Sequence, residues 1–107
     1  MARFIFVVYS NSTDGHEREY NDWYSNRHLN DLLAIPGVIS ARRFKRSETQ
    51  LPNMQLPCQP YLAIYEIEAT DIAAFQREMA ERGRDGRMPI TDTLSKEGLI
   101  ASFWDAI

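Results

Sequence analysis

His28 is the residue of this chain best suited to proton chemistry, because an imidazole acts as acid or base near neutral pH without large tuning. Tyr24 stands four positions before it and Asp31 three after, spacings at which side chains meet on one helix face. Asp31 could then orient one imidazole nitrogen while the other faces a ligand and Tyr24 donates to a carbonyl oxygen. These three are the candidate catalytic residues. A structural alternative stands beside that reading: Asp31 also lies four residues from Arg27, and pairing there would leave His28 as a polar anchor at a pocket edge.

At about 100° per residue, Tyr20, Trp23, Tyr24, Arg27, His28, Asp31, Leu32 and Ile35 fall within about 180° of arc. Polar groups therefore share a face with residues that must be buried, which makes this helix a candidate pocket wall. Tyr20, Trp23 and Arg27 are candidate ligand contacts from the helix, and Tyr9, Tyr65 and Trp104 from strands. Such a lining suits a small hydrophobic or aromatic ligand. Aromatic stripes equally suit a core or a dimer interface, so both uses remain open.

Other chemistries find little support. His16 and His28 are far apart in sequence with no Cys or carboxylate cluster at ligand spacing, so no metal site is expected. Gly-rich phosphate loops are absent. Cys58 sits among prolines between Pro52 and Pro60 and reads as a bland free thiol. The net charge is −3 and the one dense basic cluster, Arg42, Arg43, Lys45 and Arg46, lies on an alternating strand, which reads as a solvated face rather than a nucleic-acid surface.

With 107 residues, 44% of them hydrophobic, the chain is expected to form one domain over residues 1–107. A single cysteine excludes an internal disulfide and suits a cytoplasmic location. The first apolar run, ending at Tyr9, is too short to cross a membrane. Arg3–Ser10 reads as a first strand, apolar on both faces, with Phe4, Phe6 and Val8 opposite Ile5, Val7 and Tyr9. Asp14 and Glu17 have capping-box spacing and predict a helix that ends at Ala34 or Ile35, before Pro36.

Val38–Ser47 alternates as an edge strand, and Tyr61–Ala69 is a third strand. Thr70 or Asp71 is expected to cap a second helix carrying Ile72, Phe75 and Met79 and ending near Gly83. Residues 84–95 read as irregular, and Leu99–Ala106 as the last strand.

The order βαββαβ predicts an α+β, ferredoxin-like antiparallel four-stranded sheet with strands one and three central. Both helices then cover one sheet face. The apolar side chains of the other predict a partner sheet, most simply in a homodimer through the sheet faces.

The segments Tyr20-Asn-Asp-Trp-Tyr-Ser-Asn-Arg-His-Leu-Asn-Asp-Leu-Leu33, Ile35-Pro-Gly-Val38 and Ala41-Arg-Arg-Phe44 resemble the EthD-like group of the dimeric α+β barrel superfamily. Asn30 departs from the proline expected in many relatives. The resemblance implies the fold and the dimer, and only loosely a function. The superfamily includes isomerases, polyketide cyclases, cofactor-independent monooxygenases acting on aromatic compounds and haem-degrading enzymes, and a fold does not choose among them. The expectation is a small-molecule enzyme using His28 for acid/base chemistry on an aromatic or polyketide-like compound, with no cofactor. The alternatives are a non-catalytic binding protein for a hydrophobic metabolite and a haem protein with His28 as axial ligand.

Overall fold

Two strongly β-favouring segments build the centre of the sheet. The computed structural model describes all 107 residues, with strands β1 Ala2–Ser10, β2 Val38–Lys45, β3 Tyr61–Ala69 and β4 Ile100–Asp105 in the order β2-β3-β1-β4. All neighbours run antiparallel. The ferredoxin-like order read from the sequence holds, and β1 and β3 are the central strands. β2 stops at Lys45, two residues short of the expected end, and Arg46 donates instead to the Pro57 and Gln59 carbonyls.

Because side chains alternate across a strand, the sheet separates its residues into two sets. Phe4, Phe6 and Val8 join Tyr61, Ala63, Tyr65 and Ile67 in the core under the helices. Register places Ile5, Val7 and Tyr9 on the opposite face with Leu62, Ile64, Phe44, Ile100 and Trp104. No helix covers that second set, and Trp104 is 60% and Ile100 50% exposed.

The first helical segment is not one regular helix. It consists of α1 Glu17–Trp23, a π-helical stretch Tyr24–His28, and α2 Leu29–Leu33. The expected cap at Asp14 does not form. His16 occupies the N-cap position without a side-chain hydrogen bond, and its ring approaches Glu19 instead. The C-terminal end meets Pro36 as expected, and Ala34 N–H closes on the Asn30 carbonyl.

Gly37 follows with φ of +102°, where a Cβ would stand 2.7 Å from the Glu68 carbonyl oxygen, so only glycine lets the entry to β2 lie against β3. The second helix, α3 Ile72–Arg84, is regular, and the Asp71 carboxylate accepts from Ala74 N–H at 2.6 Å. It continues through Gly83 by one residue and gives way to a turn in which Gly86 takes φ of +90°.

Candidate functional site

The π-helical stretch sets the geometry of the site. In an α-helix, residues five apart point about 140° away from each other. A π turn closes hydrogen bonds five residues apart instead of four, and this brings Trp23 and His28 onto one side. Their rings stack with centroids 4.7 Å apart and planes 25° from parallel. Tyr24 meets the His28 ring edge-on at 4.9 Å and the Trp23 ring at 5.4 Å. Tyr20 packs edge-on against Tyr24, and Tyr65 stacks on Phe6 across the sheet.

Three polar atoms in this ring cluster are buried without a hydrogen-bond partner: Trp23 Nε1, His28 Nδ1 and the Tyr65 hydroxyl. Leaving such groups unpaired costs about 1–3 kcal/mol each, and native proteins rarely carry several together. A ligand presenting polar atoms to these groups would recover part of that cost. Burial pushes His28 down to about 4, against the opposing pull of the Asp31 charge, so the imidazole is neutral at physiological pH. Burial likewise pushes Tyr24 up to about 12, and burial together with the neighbouring Tyr24 hydroxyl raises Tyr65. Both phenols therefore stay protonated. Ser10 and Tyr20 share a short buried hydrogen bond of 2.5 Å deeper in the same layer.

The expected role of Asp31 as the orienter of His28 is corrected here. Both Asp31 oxygens accept from Arg27 Nε, at 3.0 and 3.1 Å, in an i,i+4 pair whose carboxylate is largely buried and whose guanidinium is exposed. Asp31 reaches His28 only through its charge, and Arg27 points to solvent. Tyr9 and Trp104 are also separated from the cluster, because both lie on the uncovered sheet face. Trp104 borders a dent of about 270 Å³ there with Ile5 and Ile64. Tyr20, Trp23, Tyr24, His28 and Tyr65 are thus the predicted residues that the fold brings together.

One residue assigned to a solvated strand face belongs to the site instead. Arg43 turns under the helix, its guanidinium 4.4 Å from the Tyr24 ring centre, 5.2 Å from Tyr20 and 5.3 Å from Tyr61. It donates to Ser25 Oγ at 2.9 Å and Asn21 Oδ1 at 3.0 Å. The available signal was strand alternation: Arg43 is two residues from Ala41 and so shares its core-facing side, whereas Arg42 does not. No group of three metal-ligating side chains comes together anywhere in the chain.

No protein-family model and no curated protein matches the chain. Solved structures do. SnoaB, a cofactor-independent oxygenase from Streptomyces nogalater, superposes with a TM-score of 0.66 at 16% identity, over 99% of this chain and 94% of that one. An EthD-like protein from Ralstonia eutropha gives 0.64 at 14% identity, over 96% and 90%. A dimeric ferredoxin-like protein of unknown function from Thermobifida fusca gives 0.61 at 13% identity, over 98% and 92%. At these identities the likeness establishes the fold shared with dimeric ferredoxin-like and EthD-like proteins.

Proposed function

We propose that this chain is a small-molecule enzyme that removes a proton from an acidic C–H or O–H of a planar aromatic or polyketide-like compound. His28 is the base, and no step is assigned to a metal or an organic cofactor. The observation that carries the reading is the neutral, buried His28 imidazole, whose Nδ1 has no partner within a cluster of aromatic rings. Transfer to such a base leaves an enolate or phenolate, to which the protonated Tyr24 and Tyr65 hydroxyls would donate. Cyclisation, isomerisation and cofactor-independent oxygenation of such compounds all proceed from that anion. The fold shared with SnoaB, itself a cofactor-independent oxygenase, supports this class of chemistry.

The test is exchange of the activated C–H of an anthrone for deuterium in D2O, followed by NMR. The chain should accelerate it, and His28→Gln, which keeps a hydrogen bond but not a titratable proton, should reduce the acceleration by about 100-fold. A folded His28→Gln protein with full exchange activity overturns the role of His28. Closed packing over His28 and the diversion of Asp31 to Arg27 favour a second reading, a binding protein in which His28 is an anchor. That reading predicts saturable ligand binding with no exchange. A Soret band on adding haem would move the assignment to axial ligation by His28.

The uncovered sheet face is proposed as the contact between two copies, on the strength of its exposed Trp104, Ile100 and Phe44 and of the dimeric relative of the same fold. Ile64→Glu, at the centre of that face, should convert the dimer to monomer in light scattering at micromolar concentration. A wild-type monomer under those conditions would remove the proposal.

A further inference from the structure

Five of the ten arginines in this chain pair with carboxylates, and of the other five only Arg43 is not exposed. Arg3 pairs with Glu68, Arg27 with Asp31, Arg82 with Glu78, Arg84 with Glu81, and Arg87 with Asp85. Arg43 is different. It is partly buried, lies in the angle between α1, the π stretch and β2, and is held only by the neutral oxygens of Ser25 and Asn21. Asn21 is itself braced, donating through Nδ2 to the Tyr61 hydroxyl at 3.1 Å. The guanidinium is thus fixed in direction, with three tyrosine rings around it and no negative charge to answer its own.

A groove of about 410 Å³ opens beside it, lined by Arg43, Lys45, Asn21, Ser25, Tyr61 and Glu17. Lys45 is two residues from Arg43 on the same strand, so both cations project to the same side. It makes no ion pair either. Glu17 is exposed at the rim and bonds to neither cation, so an entering anion meets two positive charges against one negative. A guanidinium has five N–H donors; with one taken by Ser25 and one by Asn21, its remaining donors can grip a carboxylate, whose planar geometry matches the fork.

We propose that this groove is a carboxylate subsite: Arg43, seconded by Lys45, binds the acid group of a planar aromatic carboxylic acid whose ring lies toward Tyr61. The inference deepens the proposed function by naming the substrate class, and it takes from that reading only the aromatic character of the ligand. Arg43 acts as a binding residue; toward His28 it contributes only its charge, which disfavours the protonated imidazole.

The test is titration of the full chain with 2-naphthoate and with its neutral isostere 2-naphthamide, followed by Trp fluorescence and calorimetry. Naphthoate should bind at least tenfold tighter than naphthamide, and the gap should shrink as salt is raised. Arg43→Gln should abolish the gap while leaving naphthamide affinity within twofold, and Lys45→Gln should narrow it two- to threefold. Should Arg43→Gln fail to fold, Arg43→Lys serves, because it keeps the charge and loses the fork; it should weaken naphthoate about fivefold.

Equal affinity for acid and amide, no binding of naphthoate, or a folded Arg43→Gln or Arg43→Lys protein with the full preference would overturn the subsite. Arg43-dependent naphthoate binding without His28-dependent proton exchange would sustain the subsite and break the proposed reaction. Exchange that depends on His28, together with naphthoate binding indifferent to Arg43, would do the reverse.

Discussion

The two helical segments cover the same face of one sheet and obey different rules. α3 has a side-chain cap at Asp71, one fully buried residue, Phe75, and i,i+3 or i,i+4 ion pairs toward solvent. The segment from Glu17 to Leu33 has no side-chain cap, changes to π geometry in its middle, and buries Tyr20, Tyr24 and His28 beside Leu32. α3 does what an amphipathic helix needs to do to be stable. The first segment accepts unpaired polar atoms and an irregular backbone, departures that natural proteins concentrate where they carry function.

The sharpest contrast should come from trimming one core aromatic side chain under each segment. Phe75→Ala should cost about 3–5 kcal/mol in urea unfolding, because Phe75 packs against both Phe4 and Phe103 and leaves a cavity. Tyr65→Phe deletes only a hydroxyl that has no partner, so it should leave stability unchanged or raise it by about 1 kcal/mol, while impairing ligand turnover. A Tyr65→Phe protein destabilised as much as Phe75→Ala would erase the distinction between packing and function.

Mild acid should act chiefly on the first segment. His28 binds a proton at about pH 4 when folded and near 6.5 when unfolded, so between those values the unfolded chain holds more protons and stability falls as pH is lowered. The loss should approach about 3 kcal/mol by pH 4. The Arg partners of Glu68 and Asp85 hold these two exposed carboxylates below their usual range. His28→Gln should flatten the curve between pH 6.5 and 4, as followed by thermal melts in a pH series. A slope that survives this change would place the proton elsewhere.

Smaller effects mark the helix ends. Asp71→Ala should cost about 1 kcal/mol through the lost cap, whereas Asp14→Ala, with no capping bond to lose, should stay within about 0.5 kcal/mol in the same denaturation assay. Asp31→Asn should cost about 1 kcal/mol, because the Asp31 carboxylate is only 13% exposed while its arginine partner reaches solvent. A large loss of proton-exchange activity in Asp31→Asn would restore its role toward His28.

Much of the fold was legible because it depends on alternation and turn chemistry, both local. β3 emerges with its expected limits, Asp71 caps as expected, and β1 and β3 occupy the centre. The site was legible only as a set of residue types. Tyr20, Tyr24 and His28 were expected on one helical face, and they are, but the Trp23–His28 stack needs an extra residue in the turn that the 3.6-residue period does not reveal.

Tyr9 and Trp104 were grouped with Tyr65, although odd and even positions of paired strands fall on opposite sides of the sheet, and register is a tertiary property. Arg43 escaped notice because a basic cluster in one dimension conceals which cation turns inward. Asp31 had two partners at helical spacing, and Arg27 took it through a charge-assisted bond to both carboxylate oxygens.

The π stretch can also be regarded as one residue more than an α-helix between the same anchors would hold. Deleting a single residue such as Ser25 would let the segment close into continuous α-helix between the same anchors, with Trp23 and His28 then four positions apart instead of five. Substitutions in this helix therefore vary the chemistry of an intact device, while the loss of one residue removes its π turn, so that here the chain's count of residues is as much a determinant of the site as their identity.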